Sequence, residues 1–334
     1  MSMASATPGQ HMARETAEAA GVFCAAAGQA VTASLDGVRA IYTVARGSSD
    51  AAANVLSYEI MRETGVPVTS LPPSVFSLGN GVRLDGAAAL VISQSGASDD
   101  LVRTAKGAAA AGAQVLAVTN VPGSNIEAAS DVTVPIGAGP ELAVPATKTV
   151  VGSIAAGMAL LGAWRPVYAA RAAEACASIA ALDGVAHPRS AQIRAALLRA
   201  RHVYVIGRDT GYGAAHEVAL KLKECCALHA EAYSSSEVLH GPLQLATNPL
   251  FVLMLDTGAA HIQDSLDSAE SRFRQAGCDV IRVRSSDVGA GPLTPAAAAA
   301  LQLMLLYPVI LDTALALGLD PDAPSTLAKV TQTT

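Results

Sequence analysis

Short β-rich runs without polar alternation recur along the chain, each ending in a small polar loop and followed by an alanine-rich stretch. Ile41-Tyr42-Thr43-Val44-Ala45 stops at Arg46-Gly47-Ser48-Ser49, and Val203-Tyr204-Val205-Ile206 stops in the same way at Gly207-Arg208-Asp209-Thr210. Leu90-Val91-Ile92 has a counterpart in Leu250-Phe251-Val252-Leu253. Gly47 and Gly207 are 160 positions apart, and so are Leu90 and Leu250, which predicts an internal duplication. A helix is predicted over Asp100 to Ala111, with a strand at Val115-Leu116-Ala117-Val118 after it. Strands that do not alternate, separated by helices, are the pattern of parallel sheets covered on both faces. The expected fold is therefore α/β. A helix before the first strand is expected from the composition of residues 12–20. The turn signals Asp183-Gly184 and His187-Pro188 place the junction between halves, giving an N-terminal segment 1–39, domains 40–182 and 183–315, and a tail 316–334.

Composition narrows the functional classes. With 51% hydrophobic and 15% charged residues, the 334-residue chain is a compact globular protein and not a solvated tail. A net charge of −6 and an aromatic content of 4% argue against nucleic acid as a partner, because basic patches and stacking rings are what grip it. Five cysteines, Cys24, Cys176, Cys225, Cys226 and Cys278, show neither C-x-x-C spacing nor histidines placed as zinc ligands, so they are read as reduced thiols and no metal is expected. The opening residues lack a basic start followed by an apolar stretch, which predicts a cytoplasmic location. Pro295 to Leu311 is strongly apolar but contains Gln302 and Pro308 and is short for a membrane span. It is expected to be a buried helix.

Two polar loops carry candidate chemistry. After the strand ending at Ile92 come Ser93-Gln94-Ser95-Gly96-Ala97-Ser98-Asp99-Asp100 and then a helix. Unpaired N–H groups at that helix start, with the hydroxyls of Ser93, Ser95 and Ser98, suit one phosphate monoester. Ser98 or Asp99 acting only as a helix cap explains the same residues. Neither G-x-x-x-x-G-K-[ST] nor G-x-G-x-x-G after a strand occurs, so a nucleotide has no cradle. The loop Arg46-Gly47-Ser48-Ser49 ends the first strand, where open α/β sheets bind ligands, and it is expected to be able to converge on the same phosphate.

A helix predicted over Ala214 to Ala230 carries Glu217, Lys221 and Glu224 at i, i+4 and i+7, on one face. A solvated ion-pair row and an acid/base site both fit that spacing. His240, in Leu239-His240-Gly241-Pro242, is expected on a loop, where a histidine serves acid/base chemistry better than in a core. His202, His216 and His229 are read as hydrogen-bonding core or helix-end residues, and the pair Cys225-Cys226 and Trp164 as packing.

The string EVALKLKECCALHAEAYSSSEVLHGPL from Glu217 to Leu243 resembles the isomerase domain of glucosamine-6-phosphate synthase and its sugar isomerase (SIS) relatives. Ser93-Gln94-Ser95-Gly96, Thr119-Asn120-Val121-Pro122-Gly123-Ser124, Glu141 with Thr147-Lys148, and Leu327-Ala328-Lys329-Val330-Thr331 follow in the family's order, so the resemblance covers the chain from about His11 onward. It implies tandem SIS domains in a homodimer, with sites near the subunit interface, that take a hexose or hexosamine 6-phosphate without cofactor, nucleic acid or membrane. By motif position, Ser48, Ser49, Ser93, Gln94, Ser95 and Ser98 would hold the phosphate and hydroxyls, with Val144 and Ala146 along the sugar. Glu224 would move the proton between C1 and C2. His240, reaching from the other subunit, would open the ring, and Lys329 in the tail would form a Schiff base with the open-chain carbonyl. Lys221 and Glu217 would tune the charge at Glu224.

The chain departs from the synthase in ways that bear on the reaction. It opens with Met1-Ser2 and has no cysteine before Cys24, so no glutaminase activity is expected. Stand-alone relatives convert glucosamine 6-phosphate and water to fructose 6-phosphate and ammonia, which is the leading expectation. Plain aldose–ketose isomerisation and a non-catalytic phosphosugar regulator are the alternatives. Ala97 replaces a glutamate, Arg46 precedes the glycine, and Pro145-Ala146 replaces Ala-Ser, so the epimer preferred, or a fructosamine phosphate, stays open.

Overall fold

A computed structural model describes residues 7–182 and 184–329. Met1, Ser2, Asp183, Val330 and Thr331, which entered the reading of the sequence, lie outside the described residues. Two short helices open the chain where one was expected, α1 (Gln10–Ala17) and α2 (Ala19–Ala27). The first sheet holds β1 (Ala40–Val44), β2 (Val68–Ser70), β3 (Ala87–Ser93), β4 (Gln114–Thr119) and β5 (Val132–Pro135), parallel and in the order β2-β1-β3-β4-β5. Its helices are α3 (Gly47–Thr64), α4 (Ser74–Ser77), α5 (Asp99–Ala110) and α6 (Lys148–Trp164). Helices α7 (Pro166–Ala180) and α8 (Ser190–Arg199) lead to the second sheet. That sheet holds β6 (His202–Gly207), β7 (His229–Ser234), β8 (Phe251–Asp256) and β9 (Asp279–Arg284), parallel in the order β7-β6-β8-β9. Its helices are α9 (Thr210–Cys226), α10 (Gln263–Gln275) and α11 (Pro295–Ala316).

The shared strand order bears out the duplication, with one adjustment. Thr43 pairs with Leu90, whereas Val203 pairs with Phe251, so the constant offset slips by one residue at the second strand. In each half the chain crosses from one side of the first strand to the other, which opens a crevice at the carboxyl ends of β1/β3 and β6/β8.

Burial on both faces explains the missing alternation. All seven residues of β3 are buried. Ala88, Leu90 and Ile92 face a core continuous across both halves, and Ala87, Ala89 and Val91 face a separate cluster under α5. Each leucine or isoleucine so buried contributes about 1.5–3 kcal/mol. The shared core is filled by α3, α6, α9 and α11, which pack on one another between the sheets, while α10 covers the far side of the second sheet. Helix α11 is long and apolar enough to cross a membrane by length and composition, but 78% of its most apolar window is buried inside the protein. Buried Gln302 on it donates to the carbonyls of Asp256 (2.6 Å) and Val283 (3.2 Å), tying the helix to the ends of β8 and β9.

Two helix boundaries differ from expectation. The helix expected from Asp100 to Ala111 is displaced by one residue as α5. The helix expected over Ala214 to Ala230 begins at Thr210 and stops at Cys226. Asp209 starts it early, its carboxylate accepting the Thr210 N–H at 2.7 Å. Ala227, at φ 50°, ends it in the left-handed conformation that commonly closes helices. His229 therefore heads edge strand β7, opposite His202, instead of closing a helix.

Candidate active site

The site is built where the two halves meet. Helices α3 and α9 run antiparallel: Ser48 meets Lys221, Gly213 meets Ala51 and Val55, and Arg62 pairs with Asp209. A Cβ on Gly213 would stand 2.6 Å from the Val55 nitrogen and 2.9 Å from the Ala51 oxygen, both backbone atoms. Only glycine permits this approach, and it brings the charged end of α9 onto the first turn of α3.

Glu217, Lys221 and Glu224 share one face, and that face points inward. The Lys221 ammonium is fully buried, 2.6 Å from Glu224 Oε2 and 3.4 Å from Glu217 Oε1, and it donates to Ser48 Oγ at 2.8 Å. A solvated ion-pair row is thereby excluded. Burial works to discharge Lys221, but the Glu217 and Glu224 carboxylates more than offset it and hold the ammonium above its ordinary value. At fully buried Glu217 burial prevails over the pull of Lys221, and Glu224 adds repulsion, so its carboxyl is pushed up to about 7. The Tyr307 hydroxyl donates to Glu217 Oε1 at 3.2 Å. Burial likewise raises the adjacent Cys225 and Cys226 thiols, Cys226 to about 12, so both stay protonated and apolar in character.

Above this triad lies a cavity of about 320 Å³. Arg46, Gly47 and Ser49 line it from the start of α3, Ser93, Gln94, Ser95 and Ser98 from the serine loop, Glu224 from α9, and Val144 and Lys329 from two further segments. Gly96 holds the loop in shape: its φ is +62°, and a Cβ there would lie 2.2 Å from Ser124 Oγ. Its smallness thus serves packing within the protein as well as access for a ligand. Ser98 is the N-cap residue of α5, yet its hydroxyl makes no capping bond. Ser93 Oγ accepts the Gly96 N–H (3.1 Å) and Ser95 Oγ accepts the Ala97 N–H (3.3 Å), leaving both hydroxyl protons to donate.

Lys329 is fixed by the segment before α6. It donates to the Ala143 carbonyl at 2.6 Å and stands 3.6 Å from Glu141 Oε2. Glu141 accepts the N–H groups of Thr147 (3.0 Å) and Thr149 (3.1 Å), so the Glu141…Thr147-Lys148 motif caps α6 while offering its charge to the tail. Buried Glu15 of α1 receives the N–H groups of Leu142 and Ala143 (3.3 Å). The tail itself is clasped to α1, Asp322 accepting the N–H groups of His11 (2.7 Å) and Met12 (2.8 Å).

The remaining predicted residues lie outside the cavity wall. Ser48 sits beneath it as the ligand of Lys221, and Ala146 is half-buried nearby in sequence without lining it. His240, exposed, ends a 3-10 turn (Glu237–His240) and does not line the cavity within the same chain. His202 and His216 are exposed and not core residues: His202 meets His229 with Nδ1 atoms 3.2 Å apart, and His216 stacks edge-on against Tyr212. Sequence reasoning placed Arg46 in the second polar loop and among the departures without giving its side chain a role, and gave Asp100 none, although the two form a close ion pair at the cavity. An arginine next to a helix-opening glycine, facing an acid in another helix's first turn, was the available signal. Among the described residues no group of three or more His, Cys, Asp or Glu side chains is arranged to hold a metal ion.

Residues 34–163 and 196–287 match the model of the SIS domain, once in each half. The chain belongs to the SIS-domain family. It is 32% identical over 319 residues to a glutamine–fructose-6-phosphate aminotransferase (isomerizing) of Leifsonia xyli subsp. xyli, covering 88% of this chain and 52% of that protein. The chain thus spans about half the length of the curated relatives it matches. Among solved structures, a candidate phosphosugar isomerase from Silicibacter pomeroyi DSS-3 superposes with a TM-score of 0.81 at 31% identity, covering 93% of this chain and 99% of that one. A glucosamine-6-phosphate deaminase from Thermotoga maritima shares the fold, with a TM-score of 0.74 at 16% identity over 97% of this chain and all of that one.

Proposed function

We propose that the chain is a phosphosugar aldose–ketose isomerase that releases ammonia, converting glucosamine 6-phosphate and water to fructose 6-phosphate and ammonia. The observation that carries this reading is the convergence of Glu224, the serine loop and Lys329 on one cavity. The phosphate is held by Ser93, Gln94, Ser95 and Ser98, with Ser49 beside it, and its binding energy orients carbons remote from it. Glu224 removes the proton from C2 of the open-chain amino aldehyde and returns it to C1. The C2 amine becomes an imine, and water hydrolyses it to the ketone and ammonia. Lys221, fixed as an ammonium by two carboxylates, sets the charge at Glu224, with Glu217 behind it. Lys329 meets the C2 carbonyl of the open-chain ketose: its nitrogen forms an imine there as the carbonyl oxygen leaves as water, and hydrolysis of that imine by water frees both the lysine and the ketose.

The working unit is a cytoplasmic homodimer in which His240 of a second copy opens the sugar ring, Val144 and Ala146 flank the sugar, and neither metal nor other cofactor takes part. Within each copy, a segment 1–39 and a tail 316–334 serve two SIS domains, 40–182 and 183–315. The similarity to the Silicibacter protein favours a second reading, isomerisation without loss of nitrogen.

Coupled detection of ammonia and fructose 6-phosphate from purified protein given glucosamine 6-phosphate separates the two. Stoichiometric ammonia and fructose 6-phosphate support deamination. Aldose–ketose interconversion of a hexose 6-phosphate, with no ammonia from the amino sugar, supports the second reading. Glu224→Gln should abolish turnover while sugar-phosphate binding persists, and unchanged turnover refutes the base assignment.

A further inference from the structure

The serine loop runs directly into two acids. Asp99 and Asp100 stand in the first turn of α5, so a phosphate at that helix start faces two carboxylates as well as the helix N–H groups. Asp99 is exposed and paired with Arg103, one turn further along. Asp100 has no exposed side-chain surface, and its Oδ1 turns back to accept the Leu101 N–H at 2.9 Å. Its Oδ2 receives both Nε (2.9 Å) and Nη2 (2.7 Å) of Arg46, which comes from the loop between β1 and α3.

This geometry leaves much of the guanidinium unused. Five N–H donors are available on an arginine, and Asp100 takes two of them through a single oxygen. Half of the Arg46 side chain is exposed, and it lines the same cavity as Ser93, Ser95 and Ser98. The other cation on the cavity wall, Lys329, is held by Ala143 and Glu141. A planar fork fixed at one edge by a buried acid, with no hydrogen bond to its other edge among the described residues, is pre-organised to bind an oxyanion.

We propose that Arg46 is a specificity-determining residue of this cavity, reading the phosphate group directly while Asp100 aims it and tempers its charge. The inference rests on the sugar-phosphate reading and deepens it. The site then selects sugars bearing a dianionic phosphate and discriminates against the free sugar by charge, beyond what serine hydroxyls and helix N–H groups supply.

Calorimetric titration of inorganic phosphate and of glucosamine 6-phosphate tests this on the full chain, comparing wild type with Arg46→Ala, Arg46→Lys and Asp100→Asn. Arg46→Ala should weaken both ligands by about tenfold or more, and Arg46→Lys should recover part of the loss as a point charge without the fork. Asp100→Asn is the decisive variant. Removing an adverse charge while leaving Arg46 in place should tighten phosphate binding several-fold, which a purely structural tie would not do. Melting curves establish that each variant is folded, and Asp100→Asn and Arg46→Lys keep the test open if Arg46→Ala is not. Equal binding by wild type and Arg46→Ala overturns the inference, as does Asp100→Asn weakening phosphate to the same degree as Arg46→Ala. A wild-type protein that binds neither probe overturns the sugar-phosphate reading and this inference with it.

Discussion

Replacing Glu217 by glutamine should change how stability depends on pH more than it changes stability at any one pH. Glu217 is fully buried, and no hydrogen bond reaches its Oε2 among the described residues. Its carboxyl stands at about 7 in the folded protein against an ordinary 4.5. Folding therefore favours the protonated form. The stabilisation from neutral Glu217 is complete below 4.5, declines as pH rises, and is lost once pH passes about 7. A difference of that size is worth about 3 kcal/mol in all, of which roughly 2 kcal/mol or more falls between about pH 5 and about pH 8. Glutamine has nearly the same shape and does not titrate, so the ionisable groups that do not interact with Glu217 cancel when the two proteins are compared. Urea unfolding at several pH values supplies the test, each curve extrapolated linearly to water. Stability of Glu217→Gln relative to wild type should rise by about 2–3 kcal/mol from the acid to the alkaline end. Parallel curves would show that Glu217 is ionised throughout and would refute the argument from burial.

Three further outcomes follow from the same contacts. Lys221→Met should cost about 3–5 kcal/mol in urea unfolding at about pH 8, because it leaves the Glu224 carboxylate and the ionised fraction of Glu217 without their shared cation, and the loss should shrink as acid protonates Glu217. Gly96→Ala places a methyl against Ser124 at a positive φ; it should destabilise by about 1 kcal/mol or more and abolish phosphate binding in the calorimeter. Asp322→Ala removes the cap on α1 and should cost about 0.5–2 kcal/mol, while limited proteolysis cuts the tail after α11 faster than in wild type.

The central strands were legible because their composition left no alternative. Ala87–Ser93 and Phe251–Asp256 are buried on both faces, and that demands continuous apolar sequence. The edge strands β2, β5 and β7 were not expected, since each pairs on one side only and carries polar residues such as Thr69, Ser70, Thr133, His229 and Glu231. β9, Asp279–Arg284, escaped because two arginines interrupt it, although Arg282 is buried against Asp256. The serine loop was legible as a pattern, but whether Ser98 capped its helix or kept its hydroxyl for a ligand depended on a hydrogen bond that no sequence displays.

Sequence alone determined the α/β class, the duplication and the family, because these depend on periodicity, spacing and motif order along one dimension. It also placed Glu217, Lys221 and Glu224 on one helical face, a consequence of helix geometry. Only the tertiary structure decided that this face is buried. The close crossing of α3 and α9 at Gly213 carries Lys221 onto Ser48, and no local rule fixes where two helices from different halves meet. Tertiary structure likewise joined Arg46 to Asp100, fifty-four positions away, and Lys329 to Ala143, across 186. Those contacts set charge and position at the cavity because burial strengthens them, and burial is a property of the assembled fold.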